Sequence, residues 1–167
     1  MQKTPKNSSQ LEEVILYTDG ACQGNPGRGG YGIVLIQGDE RLELSGGFQF
    51  TTNNRMEMMA VIVGLQTLEE KSKVMVYSDS QYVVNAIEKG WAKKWQANNW
   101  KKSDKKPALN PDLWEELLEL CSRHQVKFNW VKGHAGNKEN ERCDRLAVQA
   151  SEQRNLPKDI AYESSSI

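Results

Sequence analysis

At 167 residues, the chain fits one ordinary domain with a buried core. Hydrophobic residues make up 38% and charged residues 26%, and no apolar run approaches the ~18–20 residues of a membrane helix, so we expect no membrane partner. The formal net charge is zero, which taken alone argues against a polyanion as the binding partner.

The first part of the chain predicts three strands that lead into a helix. Residues 1–12 are polar and aperiodic and predict a flexible lead-in. The glycine-rich segment 23–30 predicts a turn, and the turn residues at 38–40 favour an antiparallel pair. Polar residues at 51–53 are candidate helix caps. The predicted elements are strands over 13–22, 31–37 and 41–50 and a helix over 53–68.

The rest of the chain alternates helices with short strands. Asn110 and Pro111 predict a helix start, with Asn as the cap and Pro at the first helical position. The elements are strands over 73–77 and 126–131 and helices over 80–88, 110–121 and 137–153. This order predicts an α/β fold in which helices flank a mixed five-stranded sheet. We expect one folded domain over 13–153, followed by a polar, loose tail at 154–167.

Cysteine usage and the N-terminus bear on the compartment. Cys22, Cys121 and Cys143 cannot all pair, and their spacing does not match a zinc site. The polar start lacks the apolar segment of a secretory signal. We therefore expect reduced thiols in a cytoplasmic protein, and we interpret His124 as structural.

Four acidic residues differ from the other acids in their predicted positions. Asp19 lies in an apolar strand, and Asp79 directly follows another strand that could lie beside it. Glu57 lies on the helix face that carries small residues at +3 and +7, which would let this helix approach the sheet. Asp144 borders the apolar stripe of the last helix. Each acid alone is more simply explained as a cap, an ion-pair partner or a solvated group.

A cluster of the four would need a cation. Poorly solvated carboxylates repel one another, and burial raises their pKa values unless positive charge neutralises them. Oxygen ligands without His or Cys favour Mg²⁺ or Mn²⁺ over zinc. Two such ions could activate a water molecule and stabilise the leaving oxygen of a phosphodiester. Periodicity alone makes this site a suggestion.

Several motifs together resemble type 1 ribonuclease H over about residues 13–153. They are YTDGAC at 17–22, GNP at 24–26, TNNRME at 52–57, YSDS at 77–80 and VKGHAGNKENERCD at 131–144. One short motif would be weak evidence, whereas the set in this order is specific. The resemblance implies a ribonuclease H-like fold and an endonuclease that hydrolyses the RNA strand of RNA/DNA hybrids.

The resemblance also implies the roles of the catalytic residues. Asp19, Glu57, Asp79 and Asp144 would bind two Mg²⁺ ions around the scissile phosphate, with Mn²⁺ as a substitute. The products would carry a 5′-phosphate and a 3′-hydroxyl. His134, in a loop with glycines on either side, would handle a proton or help the product leave. A surface histidine without a role is the alternative.

The substrate contacts are likewise implied by the resemblance. The minor groove of the hybrid would be lined by Cys22 (through its backbone), Asn25, Asn53, Asn54 and Gln81. Thr52 and Asn110 would hold a phosphate of the DNA strand. Helix capping is an alternative for Thr52 and Asn53, and it does not exclude a second role. For Gln81 and Asn110 a purely structural role is the stronger alternative, since Asn110 is also a good cap.

A basic segment between Lys89 and Lys106 carries seven lysines and one acid. Trp91, Trp95 and Trp100 alternate there with Lys93, Lys94, Lys101 and Lys102. The segment resembles the basic protrusion of many type 1 enzymes and would grip the DNA strand without reading its sequence. Tryptophans at this spacing would otherwise indicate a core stripe.

Three other functions stay open at this stage. A binding module without catalysis would be expected to lack at least one of the four acids. A resolvase or transposase core also uses carboxylates and divalent metals, but the basic segment would then have no purpose. A scaffold protein would leave the acids unexplained. For the enzyme, we expect a monomer that acts on a hybrid.

Overall fold

The computed structural model describes residues 10–133 and 136–165. Its centre is one five-stranded sheet with the strand order β3-β2-β1-β4-β5. The first three strands pair antiparallel, whereas β1, β4 and β5 pair parallel. This confirms the predicted mixed sheet. The strands are β1 (Glu13–Gln23), β2 (Gly27–Gln37), β3 (Glu40–Thr51), β4 (Lys73–Ser78) and β5 (Gln125–Trp130).

Within the described residues, six helices accompany the sheet. They are α1 (Asn53–Gln66), α2 (Gln81–Glu88), α3 (Trp91–Ala97), α4 (Pro111–Ser122), α5 (Lys138–Ser151) and α6 (Ile160–Ser165). A large buried side chain of α4, Trp114, belongs to the same core as Leu16 of β1 and Met58 of α1. Burial of such side chains is the main stabilising term of the fold. Within the described ranges, no helix is long and apolar enough to cross a membrane.

Glycines of β2 let helices lie on both faces of the sheet. A Cβ atom at Gly30 or Gly32 would lie 2.1 or 2.2 Å from a carbonyl oxygen of α5. Gly29 points to the opposite face, because side chains alternate along a strand, and a Cβ there would lie 2.8 Å from Met56 of α1. The close approach of α1 and α5 therefore depends on the absence of side chains in β2.

Two local expectations differ from the structure. The turn predicted over 23–30 is wrong for residues 27–30, because β2 already begins at Gly27. Its glycines lack the apolar alternation by which a strand is recognised. The remaining turn contains a cis Asn25–Pro26 bond. Helix α3 was not predicted as a separate element within the basic segment.

The expectation of a loose tail is wrong for residues 155–165. Leu156 and Asp159 are buried, and the backbone N–H of Gln49 donates to the carbonyl of Pro157 at 2.8 Å. The side chain of Gln49 also donates to the carbonyl of Leu156, at 2.7 Å. The tail therefore packs along β3. Of the predicted lead-in, residues 1–9 lie outside the described residues, and Leu11 is buried.

The structural interpretation of His124 agrees with its contacts, and the cysteines are unpaired. His124 is buried, and its Nδ1 accepts a hydrogen bond of 3.1 Å from the backbone N–H of Ser72. All three cysteines of the sequence lie in the described ranges, and none forms a disulfide.

Candidate active site

Three of the four predicted carboxylates meet at one edge of the sheet. Tyr17 of β1 pairs with Tyr77 of β4 in parallel register, so Asp19 and Asp79 occupy equivalent positions two residues farther along. Glu57 reaches the same point from α1. One oxygen of each carboxylate lies within 4.8 Å of an oxygen of the other two. The predicted convergence of Asp19, Glu57 and Asp79 is thus present in the structure.

The fourth carboxylate, Asp144, lines the same open cleft but is not part of this close group. His134 lies outside the described residues. The chain next to it does approach the acids, since a Cβ atom at Gly133 would lie 2.9 Å from Oδ2 of Asp79. The cleft is lined by Asp19, Gly20, Asn53, Asn54, Glu57, Asp79, Ser80, Gln81, Tyr82 and Asp144.

Gly20 explains how Glu57 comes so close to Asp19. A Cβ atom at Gly20 would lie 2.5 Å from the backbone nitrogen of Glu57, so only glycine lets α1 pack there. The Gly20 N–H donates to Oδ1 of Asp19 at 2.8 Å and to Oε1 of Glu57 at 3.1 Å. One backbone donor therefore orients both carboxylates.

Asp79 is held between β4 and α2. Ser80 caps α2 by accepting a hydrogen bond from the N–H of Val83 at 3.2 Å, and its own N–H donates to Ser78 Oγ. From the neighbouring strand, the indole N–H of Trp130 donates to the carbonyl oxygen of Asp79 at 3.1 Å. The backbone on both sides of this carboxylate is thereby constrained.

Burial disfavours the ionised form of these acids. Asp19 and Glu57 are each 4% exposed. The pKa of Asp19 is raised to about 8, mainly because burial removes its hydration. A hydrogen bond with Glu57 lowers this pKa, and the charge of Asp79 raises it further. Burial, then the charge of Asp19, also raises the pKa of Glu57 well above its usual range.

The donor set fits a divalent cation. Oε2 of Glu57 is buried without a hydrogen-bond partner among residues 10–133 and 136–165. Within the described ranges, no Lys or Arg forms an ion pair with Asp19, Glu57 or Asp79. Clustered carboxylate oxygens are the ligands that hard cations such as Mg²⁺ prefer. A bound cation would satisfy the free oxygen and offset the repulsion.

The predicted minor-groove residues lie around this cleft. Asn53, Asn54 and Gln81 line it directly. Asn25 contributes from the turn between β1 and β2, where its Oδ1 accepts a hydrogen bond of 3.1 Å from the N–H of Asn53. Cys22 lies on β1, with its thiol donating to the carbonyl of Thr51 at 3.5 Å. The structure thus brings this group of residues to one rim.

The two predicted phosphate ligands differ in their capping roles. Thr52 caps α1, since its Oγ1 accepts a hydrogen bond of 3.2 Å from the N–H of Arg55. Asn110 precedes α4, as expected, but its side chain makes no capping bond, so that part of the prediction is wrong. It instead contacts Arg55 and Tyr82.

The basic segment presents lysines to solvent, while most of its tryptophans face the protein. Trp95 and Trp100 pack against the core, and the Trp95 ring meets Trp114 edge-on with centroids 6.1 Å apart. Trp91 is 39% exposed and lies under the ammonium of Lys89. The core alternative therefore holds for Trp95 and Trp100. Lys93, Lys94 and Lys101 are exposed, and Lys102 is half-buried.

Sequence reasoning missed two residues near the site. Trp130 alternates with Phe128 and so suggests a buried ring, yet it is 47% exposed, whereas Phe128 is 3% exposed. Arg55 lies inside one of the quoted motifs, but its burial at 3% exposure could not be read from its own charge. The available signal for Arg55 was its position, as a charged residue only two positions before Glu57 on the same predicted helix.

Comparison with known proteins identifies the family. A model of the family described as RNase H matches residues 11–152. A ribonuclease H from Desulforamulus reducens is 67% identical over 153 residues, covering 92% of this chain and 96% of that protein. A ribonuclease HI from Synechocystis sp. is 61% identical over 144 residues, covering 86% and 90%.

Solved structures agree with this assignment. LC9-RNase H1, a type 1 RNase H with the type 2 active-site motif, has a TM-score of 0.76 at 29% identity, covering 90% of this chain and 74% of that one. LC11-RNase H1 in complex with an RNA/DNA hybrid has a TM-score of 0.64 at 25% identity, covering 82% and 95%. The chain belongs to the RNase H family and is a type 1 ribonuclease H.

Proposed function

We propose that the protein is an endonuclease that hydrolyses the RNA strand of RNA/DNA hybrids at the acidic cleft, without strong sequence specificity. The observation that carries the proposal is the meeting of Asp19, Glu57 and Asp79, buried or half-buried and without cationic partners among the described residues. Family membership and the neighbour crystallised with a hybrid support the choice of substrate.

The proposed cofactor is Mg²⁺, with two ions per site in the substrate complex and Mn²⁺ as a substitute. Asp19, Glu57, Asp79 and Asp144 would hold them. When bound, such ions activate water and stabilise the leaving oxygen of a phosphodiester. The products would carry a 5′-phosphate and a 3′-hydroxyl.

The protein's own groups would orient the acids and the substrate. The Gly20 N–H keeps Asp19 and Glu57 aimed at the cleft, and the Trp130 indole holds the backbone of Asp79. His134 would move a proton or assist product release. These roles require no base contact, which agrees with an activity that depends on the backbone of the hybrid.

Recognition of the hybrid would combine the rim and the basic segment. Polar side chains at the rim can reach 2′-hydroxyl groups, the chemical mark that separates RNA from DNA. Phosphates of the DNA strand would be held by Thr52 and Asn110 and by the exposed lysines around α3. We infer a monomer in the cytoplasm, where three unpaired cysteines remain reduced.

The decisive experiment compares substrates and variants in the presence of Mg²⁺. Uniformly labelled RNA/DNA hybrid, duplex RNA and duplex DNA are incubated with the wild type, Asp19→Asn and the control Asp39→Asn. Asp39 lies exposed in the turn between β2 and β3. We expect the wild type and Asp39→Asn to cleave the hybrid selectively, and Asp19→Asn to bind it without cleavage.

The same experiment separates the alternatives. Binding without cleavage by the wild type would support a non-catalytic module, and equal cleavage of duplex DNA would support a resolvase-like or transposase-like nuclease. Full activity of Asp19→Asn would show that the acidic cleft is not the site of the reaction. End-labelling of the fragments tests the proposed 5′-phosphate and 3′-hydroxyl.

A further inference from the structure

Arg55 uses every donor of its guanidinium in a buried network. Its Nε and Nη2 donate to Asp159 at 2.7 and 2.9 Å, and its Nη1 and Nη2 donate to Asp112 at 2.9 and 2.7 Å. The fifth N–H, on Nη1, donates to Oδ1 of Asn110 at 3.3 Å. A guanidinium has five N–H donors and no acceptor, so this side chain is fully satisfied.

These bonds determine which way the Asn110 amide faces. Because Arg55 only donates, the carbonyl oxygen of Asn110 faces it, and the amide nitrogen lies toward Tyr82, to whose hydroxyl it donates at 3.2 Å. Asn110 has φ 60°, a left-handed conformation that Asn tolerates. Its second amide N–H finds no acceptor within residues 10–133 and 136–165.

Thr52 also accepts a hydrogen bond from Arg55, but from the backbone of that residue. The backbone N–H of Arg55 donates to Oγ1 of Thr52 at 3.2 Å, which leaves the hydroxyl hydrogen of Thr52 available as a donor. The side-chain oxygens of Thr52 and Asn110 thus each accept one hydrogen bond from Arg55. The hydroxyl hydrogen of Thr52 and an amide N–H of Asn110 are left as donors, which is what a phosphate requires.

The C-terminal segment completes the network. Asp159 accepts from Arg55 and from the hydroxyl of Thr51 at 2.7 Å, and the ring of Tyr162 lies 5.8 Å from the Arg55 guanidinium. The side chain of Asp159 is 8% exposed. Arg55 and Asp159 are therefore held in place by groups from α1, β3, α4 and the tail.

We propose that the Arg55 side chain, clamped by Asp112 and Asp159, is a positioning group that turns the amide of Asn110 outward as a donor, so that Asn110 and Thr52 form a pair of donors for a DNA-strand phosphate. The inference rests on the proposed function, because it concerns the DNA strand of the hybrid. It gives the C-terminal segment a role in substrate affinity in addition to packing, since Asp159 fixes the plane of the guanidinium.

The test replaces single DNA-strand phosphates of the hybrid with neutral methylphosphonates and measures KM and kcat. In the wild type, a methylphosphonate at one or two positions should raise KM about 10-fold, which is the size expected for a lost hydrogen bond to a charged group. In Arg55→Lys, which cannot make five directed bonds, KM for the unmodified hybrid should rise about 10-fold. The position-specific effect should largely disappear, with kcat at saturation much less affected.

Two further variants keep the test decisive. Arg28→Lys is the matched control: Arg28 also contacts the C-terminal region, through the carbonyls of Ser151 and Gln153, but not the proposed donor pair. It should keep the wild-type methylphosphonate pattern even if it lowers stability. Asn110→Asp keeps the shape and an acceptor for Arg55 but replaces the amide donors, so it should raise KM and abolish the position-specific effect.

The outcomes are distinguishable. If a folded Arg55→Lys shows the wild-type pattern, the inference is wrong; if this variant does not fold, an unchanged pattern in Asn110→Asp overturns the inference instead. If the wild type itself fails to cleave hybrids with Mg²⁺, the proposed function has failed. Loss of the pattern in Arg55→Lys and Asn110→Asp, but not in Arg28→Lys, would support the positioning role.

Discussion

Asp19→Asn should stabilise the metal-free protein while it removes the activity. The change is nearly isosteric: the Asn oxygen can still accept from the Gly20 N–H, and its amide can donate to Glu57, whose Oε2 has no partner in the part of the chain that the structure describes. It removes a carboxyl whose pKa burial raises to about 8. We therefore expect the unfolding free energy to increase, against the usual effect of a buried substitution.

The size of the gain follows from proton linkage. In the unfolded chain this carboxyl ionises near pH 3.9, whereas the folded protein keeps it protonated up to about pH 8. The wild type therefore loses stability as the pH rises from about 4 to 8, with an upper limit of about 6 kcal/mol. The Asn amide also loses hydration on burial. A net gain of about 2 kcal/mol at about pH 8.5 is the expected result.

Urea unfolding in EDTA at about pH 5 and pH 8.5 measures this gain, with Asp39→Asn as the exposed control. The stability difference between Asp19→Asn and the wild type should grow with pH, and Mg²⁺ should stabilise the wild type more than the variant. An Asp19→Asn protein that is no more stable than the wild type at pH 8.5 would refute the argument from crowded, desolvated acids.

Three further predictions concern other parts of the molecule. Replacing four lysines of the basic segment with Gln should weaken hybrid binding and reduce the slope of log K against log salt concentration by up to about 3–4, with Mg²⁺ dependence intact. An unchanged slope would place the phosphate contacts elsewhere. The lysines are Lys93, Lys94, Lys101 and Lys102. Trp130→Phe, which removes the N–H bonded to Asp79, should raise the Mg²⁺ concentration needed for half-maximal cleavage several-fold, whereas an unchanged midpoint would show that this bond does not position Asp79. Burial, then the charges of Arg123 and Lys71, lowers the pKa of His124, so its contribution to stability is present above about pH 6.5 and declines as the pH falls below it. The stability of the wild type relative to His124→Gln, measured by urea unfolding, should therefore fall between about pH 7.5 and 5; a difference that does not change with pH would assign the effect to other groups.

The sequence predicted those elements whose signals are local. Alternating and continuous apolar runs identified all five strands, and the Asp19 and Asp79 carboxylates converge because β1 and β4 lie side by side in parallel. Gly27–Gly30 carries no apolar pattern, because its role is to let helices approach, and so its strand was taken for a turn. Apolar periodicity identifies a strand that packs through its side chains, but it does not identify a strand segment whose glycines are needed because no side chain fits there.

Long-range pairing accounts for the other omissions. Asp159 is buried in an ion pair with Arg55, which lies 104 positions earlier in the chain. The sequence around Asp159 gives no indication of that partner. A polar tail without periodicity therefore resembled a loose one. The resemblance to ribonuclease H supplied the residues of the substrate rim, but it gave no role to Arg55 or Trp130.

Helix α1 shows why the cleft is a functional rather than a structural cluster of charge. Arg55 and Glu57 are both buried and lie two residues apart on the same helix. Arg55 has all five donors bonded, four of them to carboxylates. Glu57, beside two further acids, keeps one oxygen that has no partner in the described ranges. The fold thus neutralises the buried charge of Arg55 completely, but leaves the nearby Glu57 without a positive partner among the described residues. A divalent cation bound by these carboxylates would supply that positive charge.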